Sequence, residues 1–240
     1  MKIRLDRLLV ERGLAESREK AQALVLAGEV LVNGAKAAKP GHSVDGSSAV
    51  ELLARPRYVS RGGLKLEAAL DQFAIRVEGR VCLDVGSSTG GFTDCLLQRG
   101  AARVHAVDVG SGQLDWKLRN DPRVIPHEGI NARNLRLEDI GEQVELSTCD
   151  VSFISVTLIL PAMTALLRAG GEMVILVKPQ FEVGKGQVGK GGIVRDPGLH
   201  RAACERVAGA VAGHGFVASI MESPVLGAEG NKEFLLYARG

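Results

Sequence analysis

No stretch of this chain is long and apolar enough to span a membrane. The best candidate, Val151 to Leu167, is interrupted by Ser152, Ser155, Thr157, Pro161 and Thr164 and falls short of the roughly 20 apolar residues a span needs. The amino terminus carries charges at Lys2, Arg4, Asp6 and Arg7 and no apolar h-region, so a secretory leader is not expected. Cysteine is sparse: Cys82, Cys95, Cys149 and Cys204 are scattered, without a Cys-x-x-Cys pair or a histidine at ligand spacing. This excludes a disulfide framework, gives no metal site, and fits reduced thiols in a cytoplasmic protein. An excess of one charge is missing too, and a net +2 taken alone argues against a dedicated nucleic-acid binder. Aromatic residues make up only 4%, and the 30 glycines follow no Gly-X-Y repeat, so a collagen-like fibre is excluded.

What is present is ordinary globular material. The chain's 240 residues are 45% hydrophobic and 24% charged, enough for one or two domains with a sizeable core. Abundant glycine points to tight turns and close backbone approaches, as in an α/β enzyme with nucleotide-sized loops. The charge is unevenly spread. Met1 to Lys65 hold 12 basic and 7 acidic residues, a net +5, whereas Leu66 to Gly240 are net −3. A basic module on a mildly acidic body suits an RNA- or DNA-docking segment joined to an enzyme; a solvated charged face is the plainer alternative.

Leu5, Leu8 and Leu9 stand at helical spacing, with Arg4, Arg7, Glu11 and Arg12 opposite and Gly13 as a stop, which predicts a helix over Arg4 to Arg12. Ser17 caps a second, containing Ala21, Leu24 and Val25 and ending at Gly28. Val30-Leu31-Val32 then runs into Asn33-Gly34, a hairpin-turn signal. Two short basic helices followed by Gly28-Glu29-Val30-Leu31-Val32-Asn33-Gly34 resemble the S4 RNA-binding domain. Arg4, Arg7, Arg18, Lys20 and Lys36 are the candidate phosphate contacts there.

Residues 1–57 are thus read as an S4-like domain, with a basic, proline-interrupted linker at about 54–60, and 61–240 as a second domain. In the latter, helix and strand patterns alternate: helices at Leu64–Phe73, Gly91–Arg99, Leu158–Leu167 and Leu199–His214, and strands at Val81–Val85, Arg103–Val107, Leu146–Cys149 and Glu172–Val177. A strand pair, Phe216–Glu222 and Glu233–Ala238, closes the chain. The predicted class is α/β, a doubly wound, mostly parallel sheet with helices on both faces.

The first strand ends in Asp84-Val85-Gly86-Ser87-Ser88-Thr89-Gly90-Gly91-Phe92, a Gly-rich turn where such folds bind cofactors. It is neither Gly-x-Gly-x-x-Gly nor a lysine-bearing phosphate loop. With Asp108 ending the next strand, it suits a ligand having an ammonium group and a ribose diol but no pyrophosphate, which favours S-adenosylmethionine over NAD. Candidate cofactor contacts are Asp84, Gly86, Ser87, Gly90, Gly91, Phe92, Asp108 and, more loosely, Asn131. Trp116 and Tyr58 are candidates either for stacking on a splayed base or for packing. A second stretch, Gly184 to Gly191, has phosphate-loop spacing but lacks the following Ser or Thr, so it is read as a basic loop whose Lys185 and Lys190 contact RNA.

Lys65, Asp150, Lys178 and Glu233 fall at the edges of the predicted sheet, Asp150 and Lys178 at strand carboxyl ends. This Lys-Asp-Lys-Glu set resembles that of FtsJ-like ribose 2′-O-methyltransferases. With the S4 pattern, and with Ser60-Arg61-Gly62-Gly63-Leu64-Lys65-Leu66, Asp150-Val151-Ser152-Phe153-Ile154-Ser155, Val177-Lys178-Pro179-Gln180-Phe181-Glu182 and Gly230-Asn231-Lys232-Glu233, the whole chain resembles the TlyA family, often labelled haemolysin A. The resemblance implies S-adenosylmethionine-dependent methylation of cytidine 2′-oxygens in 23S ribosomal RNA, as RNA or in ribosomal subunits, and leaves open whether 16S ribosomal RNA is a target as well. Its catalytic residues would be Lys65, Asp150, Lys178 and Glu233. A ribose hydroxyl needs in-line positioning and loss of its proton, and Lys178, with Lys65 as a nearby cation, is the candidate base. The alternatives are a catalytically silent ribosomal-RNA-binding or assembly protein and a pore-forming haemolysin. Oligomeric state is unreadable from the sequence.

Overall fold

The computed structural model describes residues 2–53, 56–227 and 230–240, with the side chain of Lys185 outside the description. Its contacts separate into two units, Met1–Arg57 and Tyr58–Gly240.

The first unit contains β1 (Lys2–Arg4), α1 (Leu5–Glu11), α2 (Arg18–Leu26), β2 (Val30–Val32), β3 (Ala35–Lys36), β4 (Ser43–Asp45) and β5 (Val50–Leu52). Leu5, Leu8 and Leu9 of α1, Ala21 and Val25 of α2, and Val30 and Val44 form its core, as the helical spacing requires. Ser17 caps α2 by accepting from the Lys20 amide. Asn33 and Gly34 both take positive φ, +51° and +79°, as a two-residue hairpin turn between β2 and β3 demands. Arg4 differs from its predicted helical place. It ends β1, whose Ile3 pairs with Val44, so strand pairing with a distant segment overrides the local helical pattern.

In the second unit the elements are α3 (Gly62–Gln72), β6 (Val81–Val85), α4 (Gly91–Gln98), β7 (Arg103–Asp108), α5 (Trp116–Arg119), β8 (Val124–Glu128), α6 (Leu137–Ile140), β9 (Val144–Cys149), α7 (Leu160–Leu166), β10 (Leu167–Val177), α8 (Pro179–Glu182), α9 (Pro197–Gly213), β11 (Val217–Glu222) and β12 (Phe234–Arg239). The sheet order is β11-β12-β10-β9-β6-β7-β8. All neighbours from β10 to β8 are parallel, and β12 runs antiparallel between β10 and β11.

Each central strand feeds two cores. Met173, Ile175 and Val177 join α7 and α9 on one face, while Val174 and Leu176 join α3 and α4 on the other, which is why this strand reads as an unbroken apolar run. β10 begins five residues before its predicted start because Leu167 already pairs with Val144. The ladder then shifts register across Gly170, at φ +72°, before resuming at Glu172. All four cysteines are buried, and none forms a disulfide. Among the described residues no helix is long and apolar enough to cross a membrane.

Candidate active site

The strand order brings the carboxyl ends of β6, β7, β9 and β10 to one edge, and the antiparallel sense of β12 brings its first residues there too. After β6 the chain turns sharply. Gly86 has φ +82°, and a Cβ there would stand 2.5 Å from the Asp150 carbonyl oxygen, so both the conformation and the close approach require glycine. Asp84 precedes it and is wholly buried. Its carboxylate accepts from Thr93 Oγ1 at 2.6 Å and Thr148 Oγ1 at 3.0 Å. Burial, opposed by these hydrogen bonds, pushes its pKa up to about 6. Asp108 ends β7 and accepts from the Ser88 amide at 2.8 Å and the Gly110 amide at 2.7 Å, fixing the turn against the second strand.

Two cavities adjoin this turn and share Gly86, Ser88, Asp150 and Ser152. One, of about 460 Å³, is walled mainly by Val107, Val109, Ile130, Ala132 and Ile154, with Asp108, Gln113 and Asn131 supplying polar groups. The other, of about 390 Å³, is polar and holds Ser60, Arg61, Lys65, Ser87 and Lys178 together with Gly91 and Phe92. A mostly apolar chamber with a few convergent polar groups fits a nucleoside, and the polar neighbour fits a second, charged reactant.

Two ion pairs order the polar chamber. Lys65 Nζ donates to Glu233 Oε2 at 2.5 Å, and Lys178 Nζ lies 2.7 Å from Asp150 Oδ1 while donating to Ser152 Oγ at 2.8 Å. Lys65 comes from the first turns of α3, and Glu233 from the residue before β12. Gly227 makes room for that carboxylate, since a Cβ there would sit 2.1 Å from Glu233 Oε1. Each lysine therefore has its own carboxylate, and both ammonium groups line one cavity.

The residues expected to contact the cofactor divide between the chambers. Asp108 and Asn131 line the larger one, Ser87, Gly91 and Phe92 line the polar one, and Gly86 lines both. Asp84 lies beneath, without exposed surface, and Gly90 lines neither chamber; it takes φ +98°, and a Cβ there would stand 2.3 Å from Leu118 Cδ1. Tyr58 is only 3% exposed and packs into the second unit's core, so its ring is not a stacking surface, whereas Trp116 is 79% exposed. In the first unit Arg4 and Arg18 converge on the buried Asp6 and hold its carboxyl well below the usual range. Both keep about half of their side chains exposed, Lys20 pairs with Glu16, and Arg7 and Lys36 are exposed. Lys190 is exposed as well, and the side chain of Lys185 lies outside the described residues. A cavity of about 540 Å³ between α9 and β11, lined by Cys204, Ile220 and Phe234, contains none of the expected site residues.

Sequence reasoning missed Ser152, Thr93, Thr148 and Gln113. Ser152 lies inside a stretch already singled out, and Thr93 directly follows the Gly-rich turn. Thr148 carries no local signal, because only the β6 and β9 register sets it opposite Asp84.

Comparison with known proteins places this geometry. Residues 58–240 match the FtsJ-like methyltransferase family model and residues 3–50 the S4 domain model. The chain is 49% identical over 239 residues to the 16S/23S rRNA (cytidine-2′-O)-methyltransferase TlyA of Mycobacterium tuberculosis, covering 98% of this chain and 89% of that protein. It is 44% identical to Hemolysin A of Brachyspira hyodysenteriae, covering 98% and 99%. A solved structure from Streptococcus thermophilus, 46% identical, superposes with a TM-score of 0.76 over 99% of this chain and 88% of that one. The chain therefore belongs to the TlyA family, FtsJ-like methyltransferases with an amino-terminal S4 domain.

Proposed function

We propose that the protein transfers a methyl group from S-adenosylmethionine to the 2′-oxygen of cytidine in ribosomal RNA in the cytoplasm, with 23S as the target and 16S as an additional one that mapping of the label decides. The observation that carries this reading is the pair of adjoining chambers meeting at Gly86 and Asp150, one sized and lined for a nucleoside and one lined by Lys65, Lys178 and Asp150, with Glu233 pairing Lys65 from behind the lining.

The larger chamber suits the methyl donor. Asp108 is placed for its ribose hydroxyls, Asn131 and the apolar wall for its adenine, and Asp84 supplies negative charge from below. The turn offers backbone rather than the lysine that a pyrophosphate would want. When bound, S-adenosylmethionine supplies an electrophilic methyl on a sulfonium. Everything else falls to the chain. Lys178, in its neutral amine form, accepts the ribose hydroxyl proton and becomes the ammonium that Asp150 and Ser152 hold in line, and Lys65, anchored by Glu233, positions the target nucleotide. Residues 1–57 dock RNA through Arg4, Arg7, Arg18, Lys20 and Lys36, and Lys185 and Lys190 contact it from the methyltransferase domain, expected over 61–240.

The test is to incubate the purified chain with labelled S-adenosylmethionine and ribosomal subunits from a strain lacking the gene, then map the label. Label on cytidine 2′-oxygens supports the reading. Cofactor binding without label on either subunit favours an RNA-binding or assembly role.

A further inference from the structure

Glu182 is only 3% exposed and stands four residues beyond Lys178, at the end of α8. Its side chain does not point into either chamber. It reaches across to the segment after β9, where Oε2 accepts from Ser155 Oγ at 2.6 Å and Oε1 accepts from the Val156 amide at 2.8 Å. Its own carbonyl accepts from Arg206 Nη1 at 2.7 Å, which ties α8 to α9. Residues 150–156 and 178–182 are thus joined twice. Lys178 bridges to Asp150 and Ser152 at the reacting end, and Glu182 bridges to Ser155 and Val156 at the buried end. Between the two, Phe153 and Phe181 meet with ring centroids 5.3 Å apart and ring planes tilted by 52°.

The segment being held is under tension. Phe153 adopts φ +66°, a conformation uncommon for a bulky residue, and is 91% exposed, so its own packing does not fix it. A strained turn persists only where its surroundings over-determine it, and here the fixing bonds come from both ends of the Lys178 segment. Because one ångström of misplacement can change a rate about 100-fold, the buried bridge bears on the chemistry although it touches no reactant.

We infer that Glu182 is a positioning residue: it locks the Asp150-bearing segment to the Lys178-bearing segment and so sets the geometry of the reacting ion pair. The inference rests on the methyl-transfer reading above.

The test measures kcat, KM and binding for methyl transfer to ribosomal subunits by the full chain. Glu182→Ala, which loses both bonds, is expected to lower kcat by about 10- to 100-fold, with the Kd values for S-adenosylmethionine and for RNA within about threefold of wild type. Glu182→Gln keeps an acceptor for the Val156 amide and a polar partner for Ser155, and is expected to return kcat to within a few-fold. A folded Glu182→Ala chain with wild-type kcat, or with its loss confined to either Kd, overturns the inference. If Glu182→Ala does not fold, Ser155→Ala removes one bond only; it is expected to lower kcat a few-fold, and an unchanged kcat overturns the inference. No transfer by the wild-type chain overturns the underlying reading, and this one with it.

Discussion

Lys65 and Glu233 are 168 positions apart in sequence, yet their side chains meet at 2.5 Å with exposures of 10% and 3%. Removing one partner leaves the other as an uncompensated buried charge. Glu233→Ala is expected to destabilise the chain by about 3–5 kcal/mol and to abolish methyl transfer. Lys65→Met/Glu233→Leu is expected to regain most of that stability but no activity. Urea unfolding and methyl transfer on the same samples separate the two effects, and an active double variant would reduce the pair to a structural one.

Much of this arrangement was legible in the sequence because it is local. Leu5, Leu8 and Leu9 marked a helix, Asn33-Gly34 a hairpin, and Gly86 to Gly91 a turn, since spacing and backbone permission are properties of neighbouring residues. What was illegible is register. The Thr148 contact with Asp84, the start of β10 at Leu167 and the strand ending at Arg4 all depend on partners dozens of positions away. α5 was also missed; only four residues long, it is too short for a periodic signal. The four polar residues at the sheet edge were found through resemblance, and the pairing of each lysine with its own carboxylate came only from the structure.

Asp84 makes stability depend on pH in a direction opposite to most paired carboxylates. Burial raises its folded pKa to about 6 from an ordinary 3.8, so folding favours the protonated form. Its stabilising contribution is complete below about pH 3.8 and is lost as pH rises through about 6. Asp84→Asn is therefore expected to gain on wild type by on the order of 3 kcal/mol between about pH 4 and pH 7.5, read from unfolding curves at both values. A difference that stays constant with pH would mean that Asp84 is ionised throughout.

Gly86→Ala places a methyl group against the Asp150 carbonyl in a positive-φ conformation. The expected result is a loss of about 1–3 kcal/mol of stability and at least tenfold weaker S-adenosylmethionine binding by calorimetry, because the turn shared by both chambers must move. Unchanged binding would place the cofactor elsewhere.

RNA docking through the first unit should be electrostatic. Affinity for ribosomal subunits is expected to fall steeply with salt, and Arg7→Ala/Lys36→Ala to flatten the slope of log K against log salt by about one to two, without changing S-adenosylmethionine binding. A slope unaltered by these substitutions would remove this face from the interface.

The central claim is that Lys178, held by Asp150 and Ser152, takes the proton from the ribose hydroxyl. The most direct measurement is single-turnover methyl transfer to ribosomal subunits by wild type and by Lys178→Ala, with RNA and S-adenosylmethionine binding measured alongside. The account predicts a fall of at least about 100-fold in rate with both affinities retained. Transfer by Lys178→Ala at the wild-type rate would contradict it.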